Sequence, residues 1–116
     1  MNKMKLSDWM AMQWLSRDMR AEKYTVGQDL TQTEAAEIVR IIARSVSFKP
    51  CKKGTRKELK EIGSAYRDFI VCITMLMCVG AENEKWCDRI WFALDPDFRE
   101  ACTTVLTQLM RRNMDK

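Results

Sequence analysis

The chain has 116 residues, 47% of them hydrophobic and 31% charged, with a net charge of +4. That balance is ordinary for a globular protein and unlike a disordered one, and the length suits one domain spanning 1–116 that buries roughly 65% of its unfolded surface. No residue is histidine, which removes the commonest general base, the usual partner of a nucleophile and the commonest metal ligand.

Taken in chain order, the first predicted element runs from Leu6 to about Lys23, with Ser7 as N-cap and Asp8 behind it. Leu6, Met10 and Trp14 form one i, i+4 row, and Trp9, Met12, Leu15 and Met19 form a second, broader stripe. Two apolar stripes exceed what a surface helix needs, so one is expected to face the core and the other a partner. Tyr24 to Leu30 reads as a connection punctuated by Gly27. A second helix opens at Thr31-Gln32-Thr33-Glu34, a capping-box pattern, and continues through Ala35, Ile38, Val39, Ile42 and Val46 at helical spacing.

Phe48 to Gly54 is a loop broken by Pro50, and Thr55-Arg56-Lys57-Glu58 repeats the capping-box pattern. The third helix is expected over 56–79, ending at Gly80 as a C′ residue. Its half from Phe69 to Val79 is apolar nearly all round, which makes it the buried central helix. Valine, isoleucine and threonine there also permit a strand, but no second such run exists to pair with it. This run of eleven residues, interrupted only by Thr74, falls short of the roughly 20 that span a bilayer, so no membrane segment is expected. A fourth helix is read over Glu82 to Leu94, with Trp86, Ile90 and Leu94 on one face and Trp91 beside them. A fifth starts at Asp95-Pro96 and runs to about Arg112, with Phe98, Cys102, Val105, Leu106, Leu109 and Met110 as its stripe. The expected fold is all-α: a compact bundle of about five helices around the central one.

Little in the chain promises catalysis. Serine, threonine and cysteine nucleophiles lack a histidine base, and no glycine-rich phosphate loop occurs. The pair Asp95/Asp97 sits in a helix-start signal, so capping explains it more simply than acid–base work. Five cysteines (Cys51, Cys72, Cys78, Cys87 and Cys102) show no C-x-x-C spacing. With no leader-like apolar segment at the start, free thiols in a cytoplasmic protein are expected, with neither a metal site nor a cofactor. Cys51 stands out: it lies between Pro50 and Lys52-Lys53, where positive charge favours a thiolate.

Two surfaces remain as candidates for function. Trp9, Met10, Met12, Trp14 and Met19 crowd the first helix, and large aromatics and methionines make desolvated anchors for a protein partner. A homodimer seam would bury such a second stripe permanently. From Arg40 to Lys60 eight bases (Arg40, Arg44, Lys49, Lys52, Lys53, Arg56, Lys57 and Lys60) stand against one acid, Glu58. That corner could bind the phosphates of a nucleic acid or an acidic partner. A helix-turn-helix over Thr31 to Val46 lacks its turn glycine, because the apolar pattern continues unbroken. The leading expectation is a non-enzymatic regulator that binds another protein, an adaptor or an inhibitor of the kind small mobile-element genes encode. A nucleic-acid-binding regulator is the alternative.

Overall fold

The computed structural model describes residues 4–16, 18–46 and 63–114, with backbone alone for 63–64 and 112–114. Among these residues five α-helices occur: α1 (Leu6–Met12), α2 (Gln32–Ser45), α3 (Gly63–Val79), α4 (Glu84–Phe92) and α5 (Pro96–Met114). A short 3₁₀ helix, Met19–Lys23, lies between α1 and α2. The all-α bundle read from the sequence is thus the fold. The strand alternative for Phe69 to Val79 is not, since those residues lie in α3. The second capping-box pattern and the expected first turns of the central helix lie outside the described residues.

The core gathers on α3. Phe69, Ile70, Ile73 and Leu76 are buried there, facing Ile38, Ile41 and Ile42 of α2 and Trp86 and Ile90 of α4. Thr74 is the one polar residue among the described buried set, and its hydroxyl donates to the Ile70 carbonyl at 2.8 Å, so its burial leaves no orphan donor. Phe98 of α5 packs on Tyr66 and Phe69, with ring centroids 5.8 and 5.4 Å away. Farther along, Cys102 meets Thr74. The matched order of these contacts means that α5 runs parallel to α3, with Leu106 level with Met77 and Cys78.

Each boundary has a local cause. At α2 the Thr31 hydroxyl accepts from the Glu34 amide (3.1 Å), and the Glu34 carboxylate accepts from the Thr31 amide (2.9 Å), closing the capping box. Thr31→Ala should therefore lower stability by ~1 kcal/mol, seen as an earlier urea midpoint with unchanged slope. At α4 the Asn83 carbonyl oxygen caps the Lys85 amide at 3.0 Å. The same side chain's amide donates to Gly27 O (2.8 Å) and Asp29 Oδ1 (2.7 Å), tying the 24–30 connection to the start of α4. That cap shortens α4 by two residues at its start relative to the sequence reading. At α5 the Asp95 carbonyl accepts the first helical amide bond, from Arg99 at 3.0 Å, as the Asp-Pro signal implies.

The first helix departs most from expectation. It does not run to Lys23 but stops at Met12, and the 3₁₀ helix that follows is capped by Asp18, whose carboxylate accepts from Arg20 N at 2.9 Å. Nor is Ser7 the N-cap. Lys5 holds that position without a side-chain cap, because the Leu6 amide donates instead to Tyr24 O at 2.9 Å. Met4 O accepts from Val26 N (2.8 Å) beside it, making an isolated antiparallel bridge between Lys5 and Thr25. This tether satisfies a donor that a cap would otherwise have served.

Gly80 also differs in its reason. Gly27 is the one described glycine at positive φ (+85°), so Gly80 does not serve as a left-handed C′ residue. What requires glycine at 80 is space: a Cβ there would overlap the indole of Trp86. That indole is fully buried, and its Nε1 donates to Leu76 O at 3.0 Å.

Candidate functional site

The five anchor candidates divide. Trp9 (4% exposed) and Met10 (1%) belong to the core, so only part of the expected contact surface faces solvent. Met12 (62%), Trp14 (96%) and Met19 (79%) are exposed. The separation follows from the helix ending at Met12. A continuous helix would have carried Met10 and Trp14 on one row, whereas the turn at Gln13-Trp14 sends Trp14 outward.

The backbone at that turn is unusual. Trp14 is the one described non-glycine residue with positive φ, at +60°. The Trp14 amide donates to Ala11 O (3.1 Å) and the Leu15 amide to Met10 O (3.0 Å). Those two bonds, with Gln13 as C-cap, form a Schellman motif in which Trp14 is the left-handed C′ residue. Glycine is the ordinary occupant, because any Cβ in this conformation meets the carbonyl and costs roughly 1–2 kcal/mol. Leu15 at C″ packs back onto the core, as the motif demands. Trp14 itself gains no such packing. It is a large apolar side chain held in solvent on a strained backbone.

The corner that carries it lies between two clefts. One, of about 600 Å³, is lined by Trp9, Met12, Gln13, Met75 and Val79 among others. The other, of about 380 Å³, is lined by Gln13, Trp14, Leu15, Val46, Val71 and Cys72 among others. Gln13 borders both, so α1 ends in a ridge with a largely apolar recess on one side and a mixed one, with Ser45 and Asp68 in its lining, on the other.

An ion pair fixes the 3₁₀ helix that follows the corner. Lys23 Nζ lies 2.7 Å from Glu37 Oε1, linking the 3₁₀ helix to α2. The Lys23 ammonium, with help from the Tyr24 hydroxyl, holds the Glu37 carboxyl below the ordinary glutamate range. The carboxylate in turn raises the Lys23 pKa. Tyr24 is 2% exposed, and burial together with Glu37 pushes its phenol up. A carboxyl whose pKa is depressed on folding stabilises above its unfolded pKa and loses that contribution as pH falls through the folded value. Glu37→Gln should therefore melt with a smaller loss of Tm between about pH 5 and about pH 3 than the parent chain, followed by circular dichroism.

Of the basic candidates, Arg40 and Arg44 are exposed on α2, one turn apart. Lys49, Lys52, Lys53, Arg56, Lys57 and Lys60, like Cys51, lie outside the described residues. Cys72, Cys78, Cys87 and Cys102 are free thiols. Burial pushes the thiols of Cys72, Cys87 and Cys102 up, which makes them poor nucleophiles at neutral pH. Three of them, Cys78, Cys87 and Cys102, line a third cleft of about 420 Å³ between α3, α4 and α5, with Met77, Trp91 and Leu106. Among the described residues no three histidine, cysteine or acidic side chains are grouped to hold a metal ion. No described helix is long and apolar enough to cross a membrane.

The sequence reading missed that cleft and the exposure of Leu106 (41%), Leu109 (38%) and Met110 (59%), because all of them fit the apolar stripe of α5. It also missed the turn at Trp14, for which the Asp18 cap was the available signal. Compared with known protein families, with curated proteins and with solved structures, the chain finds no match.

Proposed function

We propose that this chain is a non-enzymatic regulator that works by binding another protein in the cytoplasm, with the corner Met12, Trp14 and Met19 as its contact surface. The observation that carries the reading is Trp14, a fully exposed indole on a left-handed backbone. A strained, solvated tryptophan lowers the stability of the isolated chain, and such departures from local rules belong to functional positions. Tryptophan is also the residue most enriched among binding hot spots. The recesses flanking the ridge offer room for side chains of the partner.

The test is a paired capture from cell lysate with wild type and Trp14→Gly, each with and without nuclease. A protein retained by wild type, lost by the variant and indifferent to nuclease is the expected result. Retention that survives Trp14→Gly removes the reading. A second reading, a nucleic-acid-binding regulator, draws on the bases between Arg40 and Lys60, of which Arg40 and Arg44 are exposed. It requires capture that nuclease abolishes and an affinity falling steeply with salt, from which Lys52, Lys53 and Lys57 changed together to glutamate would remove most.

A further inference from the structure

The second half of α5 is exposed yet carries no charge. From Ala101 to Met110 ten consecutive residues are neutral, in a chain that is 31% charged. Seven of the ten face solvent, among them Leu106, Leu109 and Met110. Even the hydroxyls there are withdrawn. Thr103, Thr104 and Thr107 each donate to the carbonyl four residues earlier, at 3.0, 3.2 and 2.9 Å, which leaves their methyl groups available for packing. An exposed helix face depleted of charge is what the centre of an interface requires.

The ends of the helix say what covers it. Asp97 and Glu100 are exposed in its first turns, and Arg111 is exposed where the neutral stretch stops, with Arg112 next in sequence. Arg99, in the acidic part, is engaged elsewhere, its Nε on Leu94 O (3.0 Å) and its guanidinium over the Phe92 ring. The exposed face is thus acidic at one end, neutral in the middle and basic at the other. Such a face complements its own reverse. Two copies laid antiparallel place acid opposite base at both ends, whereas a parallel pair sets like against like. At the centre of a two-fold contact each residue meets its own symmetry mate, so a charge there would repel itself, and none is present.

We propose that the occupant of this face is a second copy of this chain, packed α5 against α5 in antiparallel orientation about a two-fold axis near Leu106 and Thr107. With that centre Met110 of each copy comes level with Thr103 of the other, at the mouth of the cleft lined by Met77, Trp91 and Leu106. Arg111 of each comes within one turn of Glu100 of the other. The surface is distinct from the Trp14 corner and does not depend on it.

Analytical ultracentrifugation of the full chain across a concentration series tests this. Wild type is expected to dimerise. Thr107→Glu with Met110→Glu, both exposed positions on the same side of α5 as Glu100 and Arg111, should weaken the dimer by roughly a hundredfold or more while leaving helicity and melting of the monomer unchanged. Glu100→Lys and Arg111→Glu should each weaken it several-fold, and the two together should restore it, because the antiparallel register re-forms each pair with reversed signs. A chain that stays monomeric at millimolar concentration overturns the proposal. So does a dimer that ignores the Thr107/Met110 variant, or a charge-reversed double variant no tighter than either single change.

Discussion

Trp86→Ala should cost about 3–5 kcal/mol, the largest loss expected from any single change described for this chain. A globular protein of this size is stable by roughly 5–15 kcal/mol, so the variant should be partly unfolded at physiological temperature. The reasons are cumulative. Trp86 is fully buried at the place where α4 meets the end of α3. Truncation would open a cavity between two helices and remove the indole hydrogen bond to Leu76 O. Urea unfolding followed by circular dichroism at 222 nm is the appropriate measurement, since it does not rely on the deleted fluorophore. Trp86→Phe should lie between, keeping most of the volume and losing the donor.

Gly80 allows a sharper test of the same contact. Gly80→Ala should cost about 1–3 kcal/mol by overpacking, because the added methyl must displace a buried ring with nowhere to go. In the double variant that methyl enters the space the indole has left. The two changes should therefore be less than additive, with a coupling of ~1 kcal/mol or more in the cycle. Strict additivity would mean that Gly80 and Trp86 do not press on one another.

Trp14→Gly should do the opposite. Glycine relieves the left-handed strain, worth roughly 1–2 kcal/mol, and regains some freedom in the unfolded chain, which offsets part of the gain. With the side chain 96% exposed, almost no packing is lost. A net rise of ~1 kcal/mol is expected, or about 4 °C in Tm. If Trp14 is a hot spot, the same substitution weakens partner binding by about 2 kcal/mol or more, some thirtyfold. A gain in stability joined to a loss of binding is the signature of a residue kept for contact rather than for folding. Trp14→Ala separates the two effects, since alanine keeps the Cβ and hence the strain while deleting the indole. It should lose binding without gaining stability. A variant that loses stability on Trp14→Gly would show that the indole packs against the protein after all.

The helices were legible because their signals are local. A threonine with a glutamate three residues on forms the capping box at α2, and Asp95-Pro96 begins α5, each through bonds made within one turn. The central helix was legible from the density of apolar residues between Phe69 and Val79. The end of α1 was not, because its C′ position holds tryptophan where the sequence rule looks for glycine. Pairing of Leu6 with Tyr24 and Met4 with Val26 anchors the segment through tertiary contacts that no periodicity records. The same blindness explains the divided site. Trp9, Met10, Met12, Trp14 and Met19 are chemically alike, and which of them reach solvent depends on where the helix stops. On α5 the stripe was read correctly but its burial was not, because a periodic pattern cannot reveal that the neighbouring helix ends first.

The four indoles occupy graded surroundings: Trp9 and Trp86 in the core, Trp91 half-buried and Trp14 in water. Their emission is therefore spread across wavelengths, with Trp14 at the red edge and the most open to acrylamide or iodide. Emission collected at the red edge, in the fraction that quencher removes, is weighted toward Trp14 without any label. Anything that docks on the α1 corner must shift that emission to the blue and shield it from quencher, while an event confined to α5 leaves it untouched. The chain thus carries its own optical gauge for telling its two surfaces apart.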